Sequence, residues 1–141
     1  MAEGLKIEIV SPERLVLSEV VTAVTVPGSE GYFTVMTDHA PFMSTLRPGF
    51  ITVKSDNGSD EIFFVRGGFA DVSPEGLTIL AEEASPFAEF DHADLAAQIK
   101  AAEEELGRAQ TPEDKSYAQA MVSGLLNLAM EAGHLNQAHV H

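Results

Sequence analysis

A histidine beside a carboxylate is the pairing that general acid–base chemistry uses most, and Asp38-His39 supplies one: the carboxylate could orient the imidazole as a base. Adjacent residues rarely point the same way, however, and no partner nucleophile is evident, so a loop-stabilising or interface role is expected for this dipeptide. His134, His139 and His141 could chelate a metal, since nitrogens on alternate residues of an extended tail can face one ion. The plainer expectation is a frayed terminus. Glu103-Glu104-Glu105 reads as a solvated helix face rather than a cation site. Gly67-Gly68 lacks the Lys-Ser/Thr ending of a phosphate loop and the spaced glycines of a dinucleotide fingerprint, so a turn or bulge between strands accounts for it. No catalytic residue, cofactor or metal site is expected.

The 141-residue chain carries 8 Lys plus Arg against 22 Asp plus Glu, a formal charge of −14 at pH 7. It lacks the cationic footprint that neutralises phosphates, which disfavours charge-driven binding to nucleic acid or anionic lipid. A composition of 45% hydrophobic and 21% charged residues is that of a folded protein, and the length suits one domain with an appendage. The absence of cysteine excludes a disulfide framework, a thiol nucleophile and a thiolate zinc site. Residues Met1 to Glu8 alternate charged and apolar types, and no apolar run reaches about 18 residues. The chain is expected neither to insert into a membrane nor to leave through a cleaved signal, and a cytoplasmic location is the simplest reading.

Two periods organise the elements that would position these residues. From Leu5 to about Glu82 the pattern is short, β-branched and alternating. Leu5, Ile7 and Ile9 alternate with Lys6 and Glu8, while Val20, Thr22, Val24 and Val26 are expected to share one strand face that Pro27-Gly28 ends. Asn57-Gly58 between Ile51–Lys54 and Ile62–Val65 predicts a hairpin in which both turn residues take positive φ. Ser73-Pro74-Glu75-Gly76 predicts a second turn between Gly68–Val72 and Leu77–Leu80. Burying the apolar faces of so many strands requires two packed sheets.

Past Ser85-Pro86 the period becomes helical, with Leu95, Ile99, Ala102 and Leu106 in one row and Asp91 as N-cap. A second helix starts at Thr111-Pro112, with Thr capping, and is expected to end near Ala132 before Gly133. Its apolar row is read as Tyr117, Met121, Leu125 and Leu128, widened by Val122, Leu126 and Ala129. The predicted class is α+β: a two-sheet β-sandwich over residues 1–86, then an antiparallel helical hairpin and tail over residues 87–141.

The segment from Pro27-Gly28-Ser29-Glu30-Gly31-Tyr32 through His39-Ala40-Pro41 to Leu46-Arg47-Pro48-Gly49 closely resembles the epsilon subunit of bacterial F-type ATP synthases. Val10-Ser11-Pro12-Glu13, Gly67 to Val72, Leu77 to Glu82 and Tyr117-Ala118-Gln119-Ala120 follow in the expected order, so the resemblance covers essentially the whole chain. It implies a ten-stranded sandwich and a helical hairpin in the central rotor stalk, between the gamma subunit and the membrane-embedded ring of c subunits. The role would be non-catalytic, with no cofactor, at the cytoplasmic face of the bacterial inner membrane. Glu30, Gly31, Tyr32 and His39 would contact the polar loops of the c ring, and another face would grip gamma.

The resemblance also implies a hairpin that folds back or extends toward the alpha/beta catalytic head to restrain ATP hydrolysis. Here the second helix has Lys115 against Glu113, Asp114 and Glu131, so a weak or absent inhibitor is expected. Relatives that bind ATP carry Ile/Leu-Asp-x-x-Arg-Ala at the first helix. This chain reads Phe90-Asp91-His92-Ala93-Asp94-Leu95, and Asp94 at the arginine position would repel phosphate. Asp94 disfavours the alternative of an ATP-sensing module, and the β half has too few histidines for a cupin-like sandwich with His39 as metal ligand.

Overall fold

The computed structural model describes residues 4–140, and their side chains as far as residue 135. The chain divides into two compact units, Met1–Phe90 and Asp91–His141.

The first unit holds ten strands: β1 (Leu5–Val10), β2 (Leu15–Val21), β3 (Ala23–Gly28), β4 (Gly31–Met36), β5 (Phe42–Thr45), β6 (Gly49–Lys54), β7 (Asp60–Arg66), β8 (Phe69–Ser73), β9 (Gly76–Leu80) and β10 (Glu83–Pro86). They form two five-stranded sheets, ordered β2-β1-β9-β8-β5 and β10-β7-β6-β3-β4. The alternation in β1 places Leu5, Ile7 and Ile9 on one face, where all three are buried. They meet Val24, Val26, Val35, Ile51, Val53 and Val65 of the other sheet, together with Leu77 and Ile79 of their own. Fully burying each such side chain contributes about 1.5–3 kcal/mol, which is what holds the sheets face to face.

The turns follow local chemistry. Ser73 pairs with Gly76 around the two-residue turn Pro74-Glu75. The β6–β7 hairpin closes with Lys54 opposite Asp60, as the Asn-Gly pair predicted. Among the described residues only glycines have positive φ, so Gly58 (φ 87°) turns the chain while Asn57 does not. Asn57 acts instead through its side chain, whose Oδ1 accepts from the Ser59 amide at 2.9 Å and the Ser59 hydroxyl at 2.6 Å.

Val20 to Val26 is not one strand. The chain breaks at Thr22 and passes from one sheet to the other, leaving Val20 64% exposed while Val24 and Val26 are fully buried. Thr22 pins the crossing, since both its amide and its hydroxyl donate to the Lys54 carbonyl at 2.8 Å. Apolar residues occupy both parities from Val20 to Val24, so the one-residue shift in which face is buried leaves no mark in the pattern.

The sandwich also extends past its last strand. Phe50 and Phe64 lie opposite each other in β6 and β7, and Phe87 and Phe90 pack on them with ring centroids 5.0–5.9 Å apart. The 3₁₀ turn Phe87–Glu89 therefore belongs to the sandwich, and the units part at Phe90/Asp91 rather than at the expected 86/87.

The second unit is a hairpin of α1 (His92–Arg108) and α2 (Pro112–Val140). Asp91 caps α1, its Oδ1 accepting from the Asp94 amide at 2.9 Å, and the Thr111 hydroxyl caps α2 at the Asp114 amide at 3.0 Å. Gly133 does not end α2, which continues to Val140: one interior glycine costs only about 1 kcal/mol, and good helix formers flank it. The buried row of α2 is Ala118, Val122, Leu125, Leu128 and Ala132, while Tyr117, Met121 and Leu126 are exposed. The apolar face is thus turned by about one residue from the expected row.

Candidate functional site

The β3–β4 turn and the start of β4 carry Glu30, Gly31 and Tyr32, three of the four expected contact residues. Gly28 pairs with Gly31 across Ser29-Glu30, and the turn is tied to the neighbouring β5–β6 segment rather than left free. The Ser29 amide donates to the Thr45 carbonyl at 2.9 Å, the Arg47 amide to the Pro27 carbonyl at 3.0 Å, and Gly28 bridges Leu46. Gly31 takes φ 130°, a conformation glycine adopts without penalty, and projects Glu30 into solvent.

Tyr32 is the second residue of β4, and its hydroxyl accepts a hydrogen bond from the Phe50 amide at 3.2 Å. Gly49 makes this approach possible. A Cβ there would stand 2.8 Å from the Tyr32 hydroxyl oxygen and 2.7 Å from Pro27 Cβ, closer than real side chains come. The Arg47 guanidinium lies over the Tyr32 ring, 5.1 Å from its centroid, in cation–π contact. Its Nε is buried without an acceptor, an arrangement that costs about 1–3 kcal/mol.

His39 is elsewhere. It follows Met36 at the far end of β4, its amide donating to the Met36 carbonyl at 3.1 Å. The five residue steps from Gly31 to Met36 span about 17 Å of strand, so Glu30, Gly31 and Tyr32 cluster while His39 stands apart. Both ends do share one feature: β4 is an edge strand, with no strand beyond it among the described residues. Asp38 and His39 are exposed, and among the described residues no hydrogen bond joins their side chains.

The remaining candidates are dispersed. His134 is exposed on α2, while His139 and His141 lie outside the residues whose side chains are described. Glu103, Glu104 and Glu105 are exposed along α1. Gly67 and Gly68 take φ 71° and 94° and turn the chain between β7 and β8. Among the described residues no cluster of histidine and carboxylate groups could hold a metal. Asp94 donates its amide to Asp91, and its carboxylate accepts from Gln98 at 2.6 Å.

Two features escaped the reading of the sequence. Arg47 was visible inside the motif, but only the fold shows that it stacks on Tyr32. The second is an apolar stripe: pairing sets Leu15, Val10, Leu80 and Phe69 side by side across β2, β1, β9 and β8 on the face turned away from the core. Leu15, Leu80 and Phe69 are 56%, 41% and 36% exposed. Each looks like an isolated surface residue in the sequence, and only the parallel β1–β9 register joins them.

Burial raises the proton affinity of one group. Glu19 sits on the inward side of edge strand β2, opposite Ile7, and desolvation together with the neighbouring Glu61 carboxyl holds it above the usual carboxylate range.

The sequence profile described as ATP synthase, Delta/Epsilon chain, beta-sandwich domain matches residues 4–87. The chain is 48% identical over 128 residues to the ATP synthase epsilon chain of Mesorhizobium japonicum, covering 91% of this chain and 95% of that one. The Rhizobium etli epsilon chain is 46% identical with the same coverage. Among solved structures, a chain of the Euglena gracilis mitochondrial ATP synthase OSCP/F1/c-ring assembly superposes with a TM-score of 0.70 at 24% identity, covering 100% of this chain and 84% of that one. A chain of the Tetrahymena thermophila mitochondrial ATP synthase central stalk/c-ring gives 0.64 at 19%, over 92% and 96%. These two likenesses concern the fold. Over nearly its whole length, then, this chain belongs to the ATP synthase epsilon chain family.

Proposed function

We propose that the chain is a non-catalytic rotor subunit of an F-type ATP synthase, coupling the gamma subunit to the c ring while an ion gradient drives ATP synthesis. The observation that supports this reading is one close-packed sandwich carrying two chemically different surfaces, an apolar stripe and a polar turn. A sandwich with a close-packed core and two hydrogen-bonded sheets deforms little under load, as a part that transmits torque requires. The apolar stripe Leu15, Val10, Leu80 and Phe69 suits a lasting interface and is our candidate for the gamma face. The polar, tied-down turn carrying Glu30, Gly31 and Tyr32 suits the loops of the c ring. His39 reaches the same ring where the partner runs along the free edge of β4. Among the described residues no helix is long and apolar enough to cross a membrane, which fits attachment at the cytoplasmic face of the bacterial inner membrane through the complex.

The hairpin is at most a weak inhibitor, since like charges on α2 oppose docking at an acidic catalytic head. Nor does it bind ATP usefully: the Asp94 carboxylate, already engaged by Gln98, stands where a phosphate would need a cation. Submillimolar ATP binding by calorimetry would replace this with the nucleotide-sensing reading.

Because the chain has no cysteine, a single thiol can be placed at Glu30 or at His39 without background. Cross-linking to the c subunit from position 30 in the assembled enzyme is the expected result, and its absence from both positions overturns the ring contact. A product from position 39 as well indicates a partner lying along β4.

A further inference from the structure

Three of the four arginines in this acidic chain contact carboxylates: Arg14 with Glu89 at 3.4 Å, Arg66 with Glu83 at 2.8 Å and Arg108 with Glu105 at 3.6 Å. Arg47 contacts none among the described residues. Its backbone is bonded to Pro27, its guanidinium rests on Tyr32, and the Tyr32 hydroxyl is fixed by the Phe50 amide. One donor of the fork, Nε, is already out of water and without an acceptor. A guanidinium presents five donors in a rigid plane matched to a carboxylate, and here the aromatic face beneath removes water from one side.

We propose that Arg47, stacked on Tyr32, is a receptor for a carboxylate of the protein partner seated on the Gly28–Gly31 turn. The inference rests on the reading of that turn as a docking surface and adds the chemistry it selects. Glu30, exposed on the same turn, supplies the opposite charge, so the partner segment that fits carries an acidic residue for Arg47 and a basic one for Glu30. A net charge of −14 repels acidic groups at long range, so a carboxylate is accepted here through short-range geometry and not through the overall field.

The test uses the ATP synthase from the same source, stripped of this chain and titrated with the full-length protein. Arg47→Gln is expected to weaken rebinding by about 10- to 100-fold, and Arg47→Lys, which keeps the charge but loses the fork, by about 3- to 10-fold. The Lys variant decides the matter should the Gln variant fold poorly, as judged by its core methyl spectrum. Rebinding of both folded variants within about twofold of wild type, with the position-30 cross-link to the c subunit intact, overturns the carboxylate receptor and leaves the docking surface standing. Loss of that cross-link in the otherwise wild-type chain overturns the docking surface itself. Wild-type rebinding that strengthens when inorganic phosphate replaces chloride at equal ionic strength would mean that a free anion, not a partner carboxylate, fills the site, and would overturn the proposal, which expects phosphate to compete and weaken it.

Discussion

Replacing Gly49 by alanine is the most informative single perturbation of the site. The new methyl would stand 2.7 Å from Pro27 Cβ and 2.8 Å from the Tyr32 hydroxyl oxygen. Pro27 is buried in β3 with a fixed ring, so the yielding partner is Tyr32. Overpacking of this kind costs about 1–3 kcal/mol. If Tyr32 withdraws, the Phe50 amide loses its acceptor, adding about 1–3 kcal/mol, and the Arg47 guanidinium loses its platform. A total of about 2–6 kcal/mol is expected for Gly49→Ala, and about 1–3 kcal/mol for Tyr32→Phe, which loses only the hydrogen bond. The double variant should fall short of the sum by about 1 kcal/mol or more, because removing the hydroxyl removes part of the clash. Urea titration followed at the methyl resonances of Val24 and Ile79, both fully buried in the sandwich, reports this unit separately from the helices. Gly49→Ala within about 0.5 kcal/mol of wild type, or strict additivity, would refute the argument that glycine is there to admit Tyr32.

The remaining predictions are simpler. Glu19 is held above the usual carboxylate range, so its protonated form favours the folded state, and the stability this gives at low pH is lost as pH rises through the raised value. Glu19→Gln should therefore raise the melting temperature at pH 7 and lose that advantage as the pH is lowered toward the ordinary carboxylate range, read by scanning calorimetry. In α2, Leu128→Ala should destabilise the hairpin by about 2–5 kcal/mol while Tyr117→Ala costs less than about 0.5, because Leu128 is 2% exposed and Tyr117 71%. The row first read from the sequence would make the two comparable, and helix circular dichroism during thermal unfolding separates the cases. Deleting residues 91–141 should leave ATP hydrolysis by the assembled enzyme within about twofold, since weak inhibition of about 0.4 kcal/mol corresponds to no more.

What the sequence made legible was local. The alternation in β1, the Ser73–Gly76 turn, the Asp91 and Thr111 caps and the change of period after Pro86 each depend on residues a few positions apart, and the structure contains them all. Long-range pairing was not legible. Nothing in Leu5–Val10 announces that it lies parallel to Gly76–Leu80, yet that register creates the stripe proposed for gamma. The crossing at Thr22 leaves no mark because apolar residues stand at both parities around it, and the buried face of α2 is not distinguished because Tyr117, Met121 and Leu126 are apolar like the residues that are buried. Composition does not tell which of two adjacent apolar rows finds a partner.

The same contrast holds at the site. Glu30, Gly31 and Tyr32 are consecutive, so their proximity needed no fold, whereas His39, eight residues from Gly31, is carried away by an extended strand. Arg47 is fifteen residues from Tyr32 and is brought onto its ring by the bridge between Gly28 and Leu46 and the backbone bond from Arg47 to Pro27. A helical spacing would have hinted at contact. A strand and a connection between sheets leave no such mark.

The most direct test of the rotor account is capture by the gamma subunit from the same source, comparing the full chain, residues 1–90 and a full-length Leu80→Glu variant. The account predicts that residues 1–90 are captured as well as the full chain and that a charge in the middle of the stripe weakens capture at least tenfold. Capture that is lost without the hairpin, or that ignores Leu80→Glu, would contradict it.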